Sequence, residues 1–347
     1  MKPEALVSQL DQQRRKVDFD TYDIIVQQLI TMVESGAIDV APAYQRQFRW
    51  DHGKRSHLIE SVLLGVPVPS LFMAANRDGT WELVDGVQRL STLVQFAGTK
   101  GARQKLGLTV PLVLSELQQL SEFNGLDFDA LPESLKLQFQ HRPIKVITLS
   151  DKSDKVVRFD LFERLNTGGV ALTNQEIRAC IYRGEFNQFL ERMATSADFK
   201  RVVKLTQAQE KDGTREECVL RFFAFLVHYK DFVHSVVEFL NEYMAEASKS
   251  FDYTSGEALF VDTFRQLGKA LPNGIVRSPT RKITPLNLFE GVSVGAAIAI
   301  KKRGKISRTG ARRWLQSDEL RSMTTGPTNN RAMVVGRIEF CRDRFLG

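Results

Sequence analysis

Strand-length apolar runs in this chain stop near residue 150, and that boundary constrains the fold more than any other feature. Before it, "AIDVAP", "LFMAA", "WELV" and "IKVITL" each carry the short apolar character of a strand. "LFMAA" and "WELV" are joined through "NRDG", where Asp78-Gly79 is a hairpin signal. Helical patterns lie between these runs. Residues 20–35 place Ile25, Leu29, Met32 and Val33 at helical spacing, with Gly36 as a stop. Residues 54–64, "KRSHLIESVLL", form a second amphipathic helix closed by Gly65 and the prolines of "GVPVPS". Residues 100–140 are mixed, with helices expected around Leu117 and Leu135. Beyond "IKVITL" the pattern is helical to the end. The expected class is α+β: a mixed N-terminal domain with a small sheet over residues 1–184, then a mostly helical domain over 185–347. No low-complexity linker stands out, so the boundary near Gly184 is expected to be packed.

The chain has 347 residues, 43% hydrophobic and 26% charged, enough for a sizeable core. No apolar run reaches the ~20 residues of a membrane span, and "MKPEALVSQLDQQRRK" lacks a signal-peptide apolar core. A cytoplasmic protein is expected. Cys180, Cys218 and Cys341 are odd in number and far apart, which fits reduced thiols better than a disulfide framework. No Cys/His spacing suggests a structural zinc site.

The net charge of +7 is not evenly spread. Residues 301–347 carry 12 Lys/Arg against 4 Asp/Glu, so the rest of the chain is close to neutral. Within "KKRGKISRTGARRW", Lys301, Lys302, Arg303, Arg312 and Arg313 are the candidate phosphate contacts, because clustered cations displace counterions from a nucleic-acid backbone. A solvated helix surface is the bland alternative.

Three stretches carry candidate chemistry. In "WELVDGVQRLSTL", Asp85-Gly86 marks a turn at a strand's end, and a helix is expected to begin near Arg89. Free backbone N–H groups beside a guanidinium form an anion site. Gly86 would let a ligand approach the backbone, and Asp85 could hold a cation, orient water or cap the turn. On spacing alone, a capped turn with Arg89 paired to Asp85 is the simpler reading. "YQRQFRW", residues 44–50, interleaves Gln45, Arg46 and Arg49 with aromatics. "FERLNTGGVALTNQEIR", residues 162–178, ends one helix at Asn166 through Gly168-Gly169. It starts another at Thr173, where Thr173 and Glu176 make a capping-box pattern.

The order "YQR…W", "LIESVLLGVPVPSLFM", "VDGVQRLSTL" and "FERLNTGG…LTNQEIR" resembles the N-terminal domain family of GmrSD-type restriction endonucleases, itself related to the ParB-like nucleotide-binding and nuclease fold. "VLRFFAFLV" and "TTGPTNNRAMVVGRIEF" extend the similarity. The family turn usually reads Asp-Gly-Gln-Gln-Arg, and here Val87 replaces the first glutamine. The resemblance implies a nucleoside triphosphate with Mg²⁺ as cofactor, held by Gln45, Arg46, Gly86, Gln88, Asn166 and Gly169. Asp85 and Arg89 would be the catalytic pair, with Asp85 at the metal. It also implies DNA as partner, including modified phage DNA, together with a partner nuclease or modification enzyme. Oligomeric state stays open.

The chain has no Walker A pattern, which excludes a P-loop NTPase. "GVSVG", residues 291–295, fits G-x-S-x-G but lies in a run that reads as a buried helix packing through small residues. Three readings remain: a nucleotide-dependent regulator or sensor in an anti-phage restriction system, a stand-alone ParB-like metal nuclease, and a non-enzymatic DNA-binding module. The first is preferred, because arginines and backbone amides dominate the motifs and a metal nuclease needs clustered carboxylates.

Overall fold

The computed structural model describes residues 19–40, 50–76, 78–150, 159, 164, 173–277 and 282–347. The chain divides into two compact units, Met1–Ala171 and Leu172–Gly347. The fold class is α+β: a small mixed sheet in the N-terminal part and helices in the C-terminal part.

The first unit is built on five strands, β1 (Phe19–Ile25), β2 (Ile38–Asp39), β3 (Leu71–Ala75), β4 (Trp81–Asp85) and β5 (Pro143–Leu149), in the order β1-β5-β3-β4-β2. β3 and β4 form the expected antiparallel hairpin, with Gly79 at φ 83° in its turn. β5 and β3 pair in parallel, as do β2 and β4. One expectation is corrected here. Residues 19–25 are not the start of a helix but a strand, paired antiparallel with β5 from Phe19↔Leu149 to Ile25↔Pro143. Tyr22, Ile24 and Ile25 suit a strand, and seven residues of ladder outweigh their incidental helical spacing. Helix α1 (Val26–Ser35) begins only after that, where the Val26 N–H donates to Arg142 O.

Helix α2 (His52–Leu64) is capped by Asp51, whose carboxylate accepts from the Lys54 N–H at 2.8 Å, and it ends at Gly65 at φ 76°. Helix α3 (Val87–Ala97) carries the hydrophobic centre of the unit, with Leu90, Leu93, Val94 and Phe96 buried. Helix α4 (Lys100–Lys105) follows, and α5 (Glu133–Gln140) contains Leu135 as expected. The helix expected around Leu117 does not form. Backbone N–H groups there go elsewhere: Ser115 to Ser56 Oγ, Leu117 to Asn124 Oδ1, and Gln119 and Leu120 to Glu60 Oε1, all within 3.1 Å.

The second unit contains α6 (Asn174–Ile181), α7 (Glu185–Ala194), α8 (Ala197–Val202), α9 (Thr214–His228), α10 (Val236–Ala247), α11 (Tyr253–Ala270), α12 (Leu286–Arg303), α13 (Ala311–Trp314), α14 (Asp318–Ser322) and α15 (Arg331–Leu346). Its interior is aromatic: Phe199, Phe222, Phe260 and Phe264 meet at ring-centroid separations of 4.5–5.6 Å. α12 and α15 lie back to back. A Cβ on Gly295 would fall 2.7 Å from the Arg342 nitrogen, and one on Gly291 3.0 Å from Arg337 O. The "GVSVG" glycines are thus the packing surface expected, and Ser293 is fully buried.

Across this core runs a chain of alternating charges. Arg178 Nη1 contacts Glu217 at 3.2 Å, Arg221 contacts Glu217 at 2.7 Å and Glu290 at 2.5 Å, and Arg337 completes the chain on Glu290. Burial pulls the Arg178 guanidinium below its ordinary pKa, with Glu217 opposing that effect. Burial would raise the Glu217 carboxyl, but Arg221 and Arg178 overcome it and hold the group below the usual glutamate range. Glu290 has no exposure and serves two arginines. Removing one partner of a buried pair leaves an uncompensated charge and costs about 3–5 kcal/mol. Glu290→Ala is therefore expected to lower unfolding stability by roughly that amount in urea titration of the full chain. A loss under about 1 kcal/mol, the range of an exposed ion pair, would contradict the role assigned to this chain of charges.

Candidate functional site

The turn between β4 and α3 is set by one glycine. Gly86 has φ 103°, a left-handed conformation, and a Cβ there would lie 2.4 Å from Leu71 Cδ2. The space a side chain would take at Gly86 is occupied by Leu71, so packing and conformation demand the glycine. α3 begins at Val87, two residues earlier than Arg89, and has no side-chain cap. Val87 is buried, so it belongs to the core at this position.

Arg89 closes the turn. Nη2 donates to Asp85 Oδ2 at 2.5 Å, while Nη1 donates to the carbonyls of Pro69 at 2.5 Å and Ser70 at 2.7 Å. The simpler reading of the spacing, a turn in which Arg89 pairs with Asp85, is what the structure forms. These bonds use three of the five N–H donors of the guanidinium. They fix a positive charge beside the first-turn amides of α3, where the helix dipole also favours an anion.

A second motif is drawn to the same place. The Trp50 N–H donates to Gln88 Oε1 at 3.0 Å, joining the end of "YQRQFRW" to the start of α3. Asp51, next in sequence, caps α2. Four site residues inferred from the motifs, Gln45, Arg46, Asn166 and Gly169, lie outside the described residues. At the end of the third motif the capping box is complete: Thr173 Oγ1 accepts from the Glu176 N–H and Glu176 Oε2 from the Thr173 N–H.

In the basic segment, Lys301, Lys302 and Arg303 form the exposed last turn of α12, and Arg312 and Arg313 are exposed on α13. Arg303 differs from the others in donating to Leu346 O. The local charge excess is also smaller at the surface than the sequence count suggests, because Arg337 is buried against Glu290. Arg178, Arg221, Glu290 and Arg337, which meet in the core, were not among the candidate residues of the motifs. The available signal was a lone charge inside an apolar helical run, as in "VLRFFAFLV" and "LFEGVSVG".

Among the described residues, the turn, its arginine and Trp50 meet at the start of α3, and part of the chain also matches a known family. Residues 26–183 match the family described as GmrSD restriction endonuclease, N-terminal domain. The match runs from α1 to just past α6, so the GmrSD-type segment includes both motifs joined at the start of α3. Residues 184–347 lie outside it. No curated protein matches the chain.

Among the described residues, no helix is long and apolar enough to cross a membrane. Cys180, Cys218 and Cys341 are free and buried, and burial pushes the Cys218 thiol up to about 12.

Proposed function

We propose that the chain is a nucleotide-dependent component of a restriction system that acts on DNA, with a nucleoside triphosphate bound at the start of α3. The observation that carries this reading is the locus just described. An uncapped helix N-terminus, a glycine in the left-handed region and a fixed guanidinium converge, and Trp50, the last residue of the first motif, is held beside them. With Asp85 paired to Arg89, the free α3 amides, the remaining guanidinium donors and Arg46 supply the attraction for phosphate. The family match supports the restriction context and the DNA partner.

In this reading Arg89 and the α3 amides bind phosphate oxygens, with Gln45, Arg46, Gln88, Asn166 and Gly169 completing the site. Asp85 supplies the single carboxylate that a magnesium–nucleotide complex needs, since Mg²⁺ takes one or two carboxylates along with phosphate oxygens and water. Bound magnesium would neutralise phosphate charge. Asp85 also orients Arg89, and through it water or phosphate for hydrolysis. Asp85 is the one carboxylate in the motif turn, whereas a metal nuclease is built on several clustered carboxylates, so the site suits phosphate binding better. Cleavage of DNA is assigned to a partner nuclease.

Calorimetric titration of the full chain with magnesium–nucleotide, alongside a phosphate-release assay, tests the assignment. Losing a charge-assisted hydrogen bond costs about 1.5–3 kcal/mol, so Arg89→Ala should weaken binding about tenfold or more. Asp85→Asn should lower hydrolysis more than binding. A folded wild-type protein that binds no nucleotide at millimolar concentration would sink the reading and leave a DNA-binding module in its place.

The exposed cations of α12 and α13 support DNA contact. Each phosphate contact adds roughly −0.9 to the log–log salt dependence of affinity. The double substitution Arg312→Ala and Arg313→Ala should flatten that slope by about 1–2 while the fold is retained. An unchanged slope would return these residues to ordinary solvated surface.

A further inference from the structure

A pocket of about 310 Å³ lies between the exit of α2 and the facing ends of β1 and β5. Its walls are mostly apolar, with Val62, Val66, Val68 and Ile144 among them, and Ser70, Arg142, Lys145 and Asp23 supply the polar groups. Lys145 is neutralised by Asp23 at 3.3 Å.

Arg142 is different. Its Nη2 donates to Leu63 O at 3.0 Å, at the C-terminal end of α2, and its Nε is buried with no hydrogen-bond partner. No carboxylate pairs with it among the described residues. The side chain is nevertheless held in place. Gly65 is left-handed at φ 76°, and a Cβ there would fall 3.0 Å from Nη1 and 3.2 Å from Cζ, so the guanidinium lies directly against the glycine. A fixed guanidinium without a carboxylate partner among the described residues, on the wall of a largely apolar pocket, matches a ligand with an apolar body and one anionic group. A carboxylate fits that fork geometry, and one uncompensated positive charge matches a monoanion better than a phosphate dianion. The volume is at the small end of ligand sites, about 300–1,000 Å³, which limits the ligand to a few carbon atoms.

The pocket also touches the machinery of the α3 turn. Ser70 lines it, and the carbonyls of Ser70 and Pro69 are the ones that hold Arg89 Nη1. A ligand seated against residues 66–70 therefore acts on the segment that positions Arg89.

We propose that this pocket is an effector site for a small aliphatic carboxylate, and that its occupancy changes nucleotide affinity through the Pro69-Ser70 carbonyls. The second half rests on the nucleotide reading above; the first does not.

The test uses the full chain and 4-methylpentanoate as probe, with its neutral amide as control, titrated by calorimetry without nucleotide. The carboxylate should bind at least about tenfold more tightly than the amide, the size of one charge-assisted bond. Val66→Glu should abolish binding by placing a carboxylate at the mouth of the pocket. Val66 is 52% exposed, so this variant leaves both the core and the Arg142 contact to α2 in place. Absence of binding to the folded wild type at tens of millimolar overturns the proposal, as does equal binding of carboxylate and amide, or unchanged binding to Val66→Glu. Nucleotide is then titrated with and without saturating carboxylate, and its Kd should change by roughly fivefold or more. An unchanged Kd overturns the regulatory half. If nucleotide binds in neither titration, the nucleotide reading fails, while the carboxylate titration still decides the pocket.

Discussion

The guanidinium of Arg89 ties three pieces of the N-terminal unit together. It joins the carboxylate at the end of β4, the carbonyls just before β3, and the first turn of α3. The start of β3 and the end of β4 are already paired in the hairpin, Phe72 opposite Asp85, and this side chain ties that pair to the helix. Gly86 makes the bridge feasible, because its left-handed backbone turns the chain sharply enough for Asp85 and Arg89 to face each other. The same geometry leaves the α3 amides without a side-chain cap. Structural closure and the proposed anion-binding end share one arrangement, so the Asp85–Arg89 turn and the functional reading do not compete.

The C-terminal unit depends on a different constraint. Arg178, Arg221 and Arg337 sit within an aromatic core, and two glutamates span the distance between them. Other donors of Arg178 and Arg337 reach Asn241 Oδ1 at 2.7 Å and Thr328 O at 2.8 Å, while Arg337 Nε is left without a partner among the described residues. Buried ion pairs are poor sources of net stability but are costly to break singly. Here they fix α6, α9, α12 and α15 in register with one another.

Much of this was readable from the residues. The Asp78-Gly79 hairpin, the Asp85–Arg89 pairing, the capping box at Thr173 and the glycine-lined packing of α12 each depend on chemistry within a few residues, and each is present in the structure. β1 was not readable. Its residues also fit a helix, and their partner strand lies more than a hundred residues away. The stretch around Leu117 was missed for a related reason, since Ser56 and Glu60 on α2 take the amide bonds that a helix would have used. The charge chain and the Arg142 pocket share this origin: the groups that define them meet only after folding. At the site, the family motifs identified the turn, but they did not reveal that Leu71 packs where a side chain at Gly86 would stand.

The central claim is that phosphate groups lie against the first turn of α3. Amide hydrogen exchange of the full chain, with and without saturating magnesium–nucleotide, reads this directly. Exchange should slow in the peptide spanning residues 86–90 and at Trp50, whose N–H is held by Gln88. Bound nucleotide that leaves both segments unchanged would place the phosphates elsewhere and contradict the account.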